Sequence, residues 1–182
     1  MKQTTEIEEV PLELLAEPLD WFFAEHYRHR QLCQMIDEVC AATVFDGDKI
    51  GKVVAFLGHD LALHVIDEEE DFFPLLRRRC LPEDEVEGVL GMLSAEHRAD
   101  VAKAGQVSDL LKACLLKETA PGLDPARRKI LSEFASQERR HLGLENAVIL
   151  PIARLRLDAD DLATLGRRLA ARRGRVLSEP GA

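Results

Sequence analysis

One pattern occurs twice in this chain and constrains it more than any other feature. Glu25-His26 leads to His64-x-x-x-Glu68-x5-Pro74, and Glu96-His97 leads to His141-x-x-x-Glu145-x5-Pro151. Four histidines and two carboxylates therefore recur in matched order. In an α-helix a residue and its fourth successor point the same way, offset by about 40° and one turn of roughly 6 Å. His64 with Glu68, and His141 with Glu145, each form a two-pronged face of the kind a metal ion needs. Each pair is embedded in an apolar pattern of helical period. Phe56, Leu57, Leu61, Val65 and Phe72 surround the first, and Phe134, Leu142, Leu144 and Val148 the second. The polar groups fall among core-facing positions, where they must be paired or coordinated.

The rest of the composition narrows the fold. With 182 residues, 46% of them hydrophobic, the chain can bury one sizeable core and is most economically one domain. Gly (11) and Pro (8) are few, and Leu, Ala, Glu and Arg dominate, so the expectation is an all-α protein. A net charge of -9 argues against nucleic acid as a partner, because such binders carry a basic surplus. The start, MKQTTEIEEVPLELL, lacks a basic region followed by an apolar core, and no apolar run approaches about 18 residues. The expectation is a cytoplasmic protein with no membrane span.

Helix punctuation divides the chain into an N-terminal extension over 1–17, a bundle over 18–156, and a C-terminal helix with a flexible tail over 157–182. The first helix is expected from Pro18 to Thr43, ending before Asp46-Gly47-Asp48. It carries Trp21, Phe22, His26, Cys33 and Ile36 inward. The second runs from Asp48 to the basic residues Arg77–Arg79, with Pro74 kinking or shortening its end. The third starts at Pro82, followed by Glu83, Asp84 and Glu85, and reaches Lys117. Asp124 caps the fourth, which runs from Pro125 to about Pro151. A last helix spans Asp158 to Arg173.

Four long helices on short turns pack as an antiparallel up-down-up-down four-helix bundle with a short additional C-terminal helix, side chains converging inward. His26, His64, Glu68, His97, His141 and Glu145 then meet from all four. A set of four nitrogens and two carboxylates without thiolate favours a first-row metal, iron or manganese from the carboxylates and zinc from the histidines. If both carboxylates bridge two ions, the residues supply about eight bonds of the roughly twelve that two six-coordinate ions need. Two divalent ions offset by two carboxylates leave about +2, which favours a hydroxide, oxo or peroxide group at the open positions.

Other polar residues receive plainer readings. His29, one turn beyond His26, is an outer or substitute ligand candidate, and His59 is exposed. Glu25 and Glu96 precede the histidines and face solvent or an outer contact. The run Asp67–Asp71 is a solvated helix face apart from Glu68. Arg167, Arg168, Arg172, Arg173 and Arg175 complement the last helix's C-terminus. Cys33, Cys40, Cys80 and Cys114 lack zinc spacing and are read as free core thiols.

The phrases AEHYRHRQL, HVIDEEEDFFPLL, LSAEHRADV and HLGLENAVILPIA resemble the four helix signatures of the hemerythrin-like, HHE cation-binding family, over roughly residues 18 to 155. The resemblance implies a non-haem di-iron site at His26, His64, Glu68, His97, His141 and Glu145, two irons with an oxo or hydroxo bridge. The oxygen carriers of that superfamily have a histidine where this chain has Val101 and an aspartate where it has Asn146. The resemblance is therefore closer to relatives implicated in oxygen or iron sensing, stress responses and iron-sulfur repair.

Three readings follow: a sensor binding oxygen, nitric oxide or peroxide and signalling through a protein partner; an enzyme reducing peroxide or oxygen, or oxidising ferrous iron; and an iron donor to damaged clusters. Ferritin-like storage fits less well, because the chain has His-x-x-x-Glu instead of Glu-x-x-His.

Overall fold

A computed structural model describes residues 6–177, and all regular structure among them is helical. Helix α1 (Pro18–Ala41) starts with a proline whose missing N–H is harmless in a first turn, and it buries Trp21, Phe22, His26, Cys33 and Ile36. Asp46 then caps α2 (Gly47–Gly58) by accepting the Lys49 N–H at 3.0 Å.

The single second helix expected from Asp48 to Arg79 is built in four pieces. At His59 the backbone leaves helical geometry (φ -128, ψ -64), and α3 (Asp60–Ile66) restarts behind it. A π-helical turn, Asp67–Phe72, then leads into α4 (Phe73–Arg79). The same device interrupts the fourth rod, where α6 (Pro125–Leu144) passes through a π turn at Glu145–Ile149 into α7 (Leu150–Arg156).

The prolines explain both turns. Proline has no N–H to give, and its ring clashes with the carbonyl four residues back. One extra residue in the preceding turn moves that carbonyl aside. The N–H of Phe73, just before Pro74, closes on the carbonyl of Glu68, and the N–H of Leu150, just before Pro151, closes on that of Glu145. The x5-Pro spacing in the repeated pattern is thus the trace of a widened turn that closes on the glutamate.

Helix α5 (Val86–Lys117) begins later than Pro82, because Pro82–Asp84 form a separate 3-10 turn and Glu85 adopts a left-handed conformation (φ 48) that ends it. Asp124 caps α6, accepting from Ala126 and Arg127, and Asp158 caps α8 (Ala159–Arg172), accepting from Asp161. The expected tail reaches into residues 178–182, outside the described residues. Leu177, by contrast, packs on the core.

The closest packing joins α1 to α6, α2 to α5, α5 to α6 and α1 to α2. Two apolar clusters form, one around Leu15, Phe22, Phe72, Leu90 and Ile149, the other around Leu32, Ile36, Phe56, Leu111 and Leu131. On every rod the histidines and glutamates of the repeated pattern fall between these clusters in sequence. The clusters are met in opposite order on successive rods: first then second along α1 and α5, second then first along α2–α4 and α6–α7. Helix α8 lies against α1, the π turn Asp67–Phe72 and a 3-10 turn at Leu12–Ala16. Among the described residues, no helix is long and apolar enough to cross a membrane.

Candidate metal centre

The layer between the apolar clusters brings together His26 from α1, His64 from α3, His97 from α5, His141 from α6, and Glu68 and Glu145 from the two π turns. None is more than 4% exposed. Their ligand atoms fall into two sets, His26, His64, Glu68 and Glu145, and Glu68, His97, His141 and Glu145. Within each set all atoms lie within 4.8 Å of one another, and both glutamates belong to both sets. Each set could hold one cation, with two imidazoles of its own and two shared carboxylates.

Nε2 of His26 lies 3.7 Å from Glu68 and 3.4 Å from Glu145; Nε2 of His64 and of His97 lie 3.5 and 3.1 Å from Glu68; Nε2 of His141 lies 3.0 Å from Glu145. Charge is close, yet both oxygens of each glutamate and Nε2 of His26 and His64 are buried without a hydrogen bond. Distance without alignment does not satisfy a buried carboxylate. Burial and the negative charge of Glu68 push Glu145 up, while Glu68 itself, despite burial, is held well below the usual range by His64, His26 and His97. A cation held by these residues would answer both the repulsion and the unmet lone pairs.

The histidines respond to the same field. Burial pushes His97 and His141 down, but the surrounding carboxylates outweigh it and hold them up to about 9 and about 10. His64 goes well below its usual value through burial, with His29, His26 and His97 acting against the opposing pull of Glu68.

Outer partners aim three of the rings. Nδ1 of His97 donates to Glu69 at 2.6 Å, Nδ1 of His141 to Glu96 at 3.0 Å, and Nδ1 of His26 to Asn146 at 2.9 Å. Without a cation, Nε2 of His97 and Nε2 of His141 lie 3.0 Å apart and share a proton; once neutral, with the remaining proton on Nδ1, each ring keeps an Nε2 lone pair for a cation. Asn146 therefore serves as a partner of His26, and Glu145 supplies the carboxylate of that turn. His29 donates from Nδ1 to the buried Glu138 at 2.7 Å, and its ring centre is 4.5 Å from that of His64. Sequence reasoning missed Glu69, Asn146 and Glu138. Glu138 stands three residues before His141, so its helical phase was the available signal.

A cavity of about 10 Å³ opens beside these rings, lined by Leu61, His64, His97, Asp100, Val101 and His141 among others. That is roughly the space of one water-sized group. Val101 contributes an apolar side chain to this wall beside Leu61 and Val65.

Several plainer readings need correction. The run Asp67–Asp71 is not a solvated face: Asp67 and Asp71 are buried beside Glu68, Glu69 is half-buried, and Glu70 alone is exposed. The arginines of α8, and Arg173 just after it, do more than complement a helix end. Arg172 donates to Asp67 at 2.9 Å and Asp71 at 2.5 Å, Arg173 to Asp67 at 2.7 Å, and Arg168 to Asp71 at 2.5 Å. Glu25 is buried and accepts from Arg28 at 3.0 Å. His59 is exposed and Cys33 is buried in the core, as expected.

A helical chain that buries histidines and glutamates as two cation-sized sets sharing their carboxylates belongs to the class of helical cation-binding proteins. The family model of the hemerythrin HHE cation binding domain matches residues 17–153, and the chain belongs to that family. No curated protein and no solved structure matches it.

Proposed function

We propose that this chain holds two iron ions through His26, His64, Glu68, His97, His141 and Glu145, and binds or reacts with a small ligand such as oxygen, nitric oxide or peroxide in sensing or stress response. The observation that carries the reading is the sharing of Glu68 and Glu145 between two four-residue sets. An irregular polar core would not divide so evenly. The alternation of the two apolar clusters along successive rods supports an antiparallel up-down-up-down bundle, with α8 as the short additional helix.

Bound there, a redox-active pair of ions would supply one or two electrons to a small ligand. The chain's own residues do the rest. His26, His97 and His141 are aimed by their outer partners, and the apolar clusters keep bulk water from the layer. The 10 Å³ cavity beside His64, His97 and His141 supports a ligand of very few atoms over a larger substrate. The burial of all six side chains supports retention of the ions over donation to other proteins.

Metal analysis and optical spectra of anaerobically purified protein, before and after oxygen and then peroxide, test this. Two irons per chain with oxidation by either reagent is the expected result. A protein that takes up no iron would overturn it.

A further inference from the structure

The four inward-facing histidines are not equally backed. His97 and His141 each donate from Nδ1 to a carboxylate, Glu69 at 2.6 Å and Glu96 at 3.0 Å. His26 donates to the neutral amide of Asn146 at 2.9 Å, and Nδ1 of His64 makes no hydrogen bond. A carboxylate accepting the Nδ1 proton pushes electron density into the ring and makes Nε2 a better donor to a cation. An amide does this less, and an unbonded N–H not at all.

The repeated pattern shows where the inequality arises. Glu69 and Asn146 occupy matched places, each directly after a shared glutamate, and Glu96 and Glu25 occupy matched places, each directly before a histidine. Glu96 backs His141. By the same geometry Glu25 stands near His64, with ligand atoms of Glu25, His29 and His64 within 4.8 Å of one another. Arg28 diverts it, donating to Glu25 at 3.0 Å and to Asp60 at 2.8 Å. One half of the blueprint has therefore lost both backing carboxylates, one to an amide and one to an arginine.

We propose that Glu69 and Glu96 make the position at His97 and His141 the tighter of the two cation positions, so that cations load there first and at His26 and His64 second. The proposal rests on the six-residue reading above. Glu69 and Glu96 act as positioning residues, through histidines they do not share. Glu69 is the stronger of the two. Its second oxygen accepts a neutral hydroxyl from Ser94 at 3.0 Å, whereas that of Glu96 accepts from the cationic Arg140 at 3.0 Å.

Zinc titration of the full chain with nitrogen-15-labelled histidine provides the test, following the ring signals while competition with a chelator gives the two dissociation constants. In the wild type, the His97 and His141 signals should move during the first equivalent and those of His26 and His64 during the second. Glu69→Gln and Glu96→Gln keep side-chain shape, and each should weaken the first step by about 10- to 100-fold, Glu69→Gln more. Their circular dichroism should match the wild type. Loading of His26 and His64 first, simultaneous loading of all four rings, or an order untouched in the double variant would overturn the proposal while leaving the six-residue reading intact. A wild type that takes up no zinc at any of the four rings would overturn the proposal, and the six-residue reading would then be decided by iron uptake.

Discussion

Arg172 donates to Asp67 at 2.9 Å, one residue from Glu68, and so ties the last helix to the turn that carries a shared carboxylate. Arg172 also reaches Asp71, and Arg173 and Arg168 take up the remaining oxygens of the two acids. Arg172→Ala should leave Asp67 and Asp71 buried with one partner each. Removing one member of a buried pair costs about 3–5 kcal/mol, and the partners that remain reduce this to about 1–3 kcal/mol here. Urea unfolding followed by circular dichroism measures it, and a loss below about 0.5 kcal/mol would show the clasp to be ornamental.

Asp67 also gives a pH signature. Burial raises its carboxyl from 3.8 to about 6 even though Arg173 and Arg172 pull the other way. An acid whose folded value lies above its unfolded one binds protons more readily when folded, so its contribution to stability is greatest at low pH and declines as pH rises from about 4 to about 6. Unfolding free energies of wild type and Asp67→Asn, compared across that range, should differ in slope, the variant lacking the decline.

Metal removal should be visible as stability. Ligands that bind the folded chain at a hundred times their dissociation constant add about 2.7 kcal/mol, so chelation should lower the melting temperature. Glu145→Gln removes a carboxylate whose charge burial and Glu68 disfavour, which relieves the metal-free layer while removing a shared ligand. Its melting temperature should be insensitive to chelator and metal alike. A variant that keeps the wild-type response would place the cation elsewhere.

Close backbone approaches set another test. A Cβ at Gly166 of α8 would stand 2.4 Å from the carbonyl oxygen of Leu15, so the helix packs there only because it lacks one. Gly166→Ala should cost about 1–3 kcal/mol through displacement of α8 from the N-terminal turn. Gly105, in α5, has open space around its Cβ position, and Gly105→Ala should gain about 0.5–1 kcal/mol from helix propensity alone. Differential scanning calorimetry on both separates packing from propensity.

The helical rods and the layer of six side chains were legible because helical phase is a local property: His64 and Glu68 share a face whatever the tertiary context. Asp67, Asp71, Arg168 and Arg172 were misread for the opposite reason. The burial of the two aspartates and their pairing with the arginines depend on where α8 docks, a contact between residues about a hundred positions apart that no local spacing encodes. The π turns lay between these cases. Pro74 and Pro151 signalled a disturbance, but a widened turn and a helix end follow from the same missing N–H, and only the continuing apolar pattern favours the former. Glu85 ended the turn before α5 by taking a left-handed conformation that its identity does not announce.

Cysteine reactivity closes the set. Cys33 lies seven residues after His26 and shares its inward face, which invites a redox role. Burial raises the Cys33 thiol far above its usual value, with Glu138 adding to the effect, and Cys40 is pushed up to about 11 chiefly by burial. The thiolate is the reactive form, so neither should be modified quickly at pH 8. Alkylation of the folded protein followed by mass spectrometry should label Cys33 and the buried Cys114 only at the rate of global unfolding, and equally slowly after peroxide. Rapid labelling of Cys33 in the folded chain would show that its face opens to solvent, and would return it to the candidates for redox chemistry beside the metal centre.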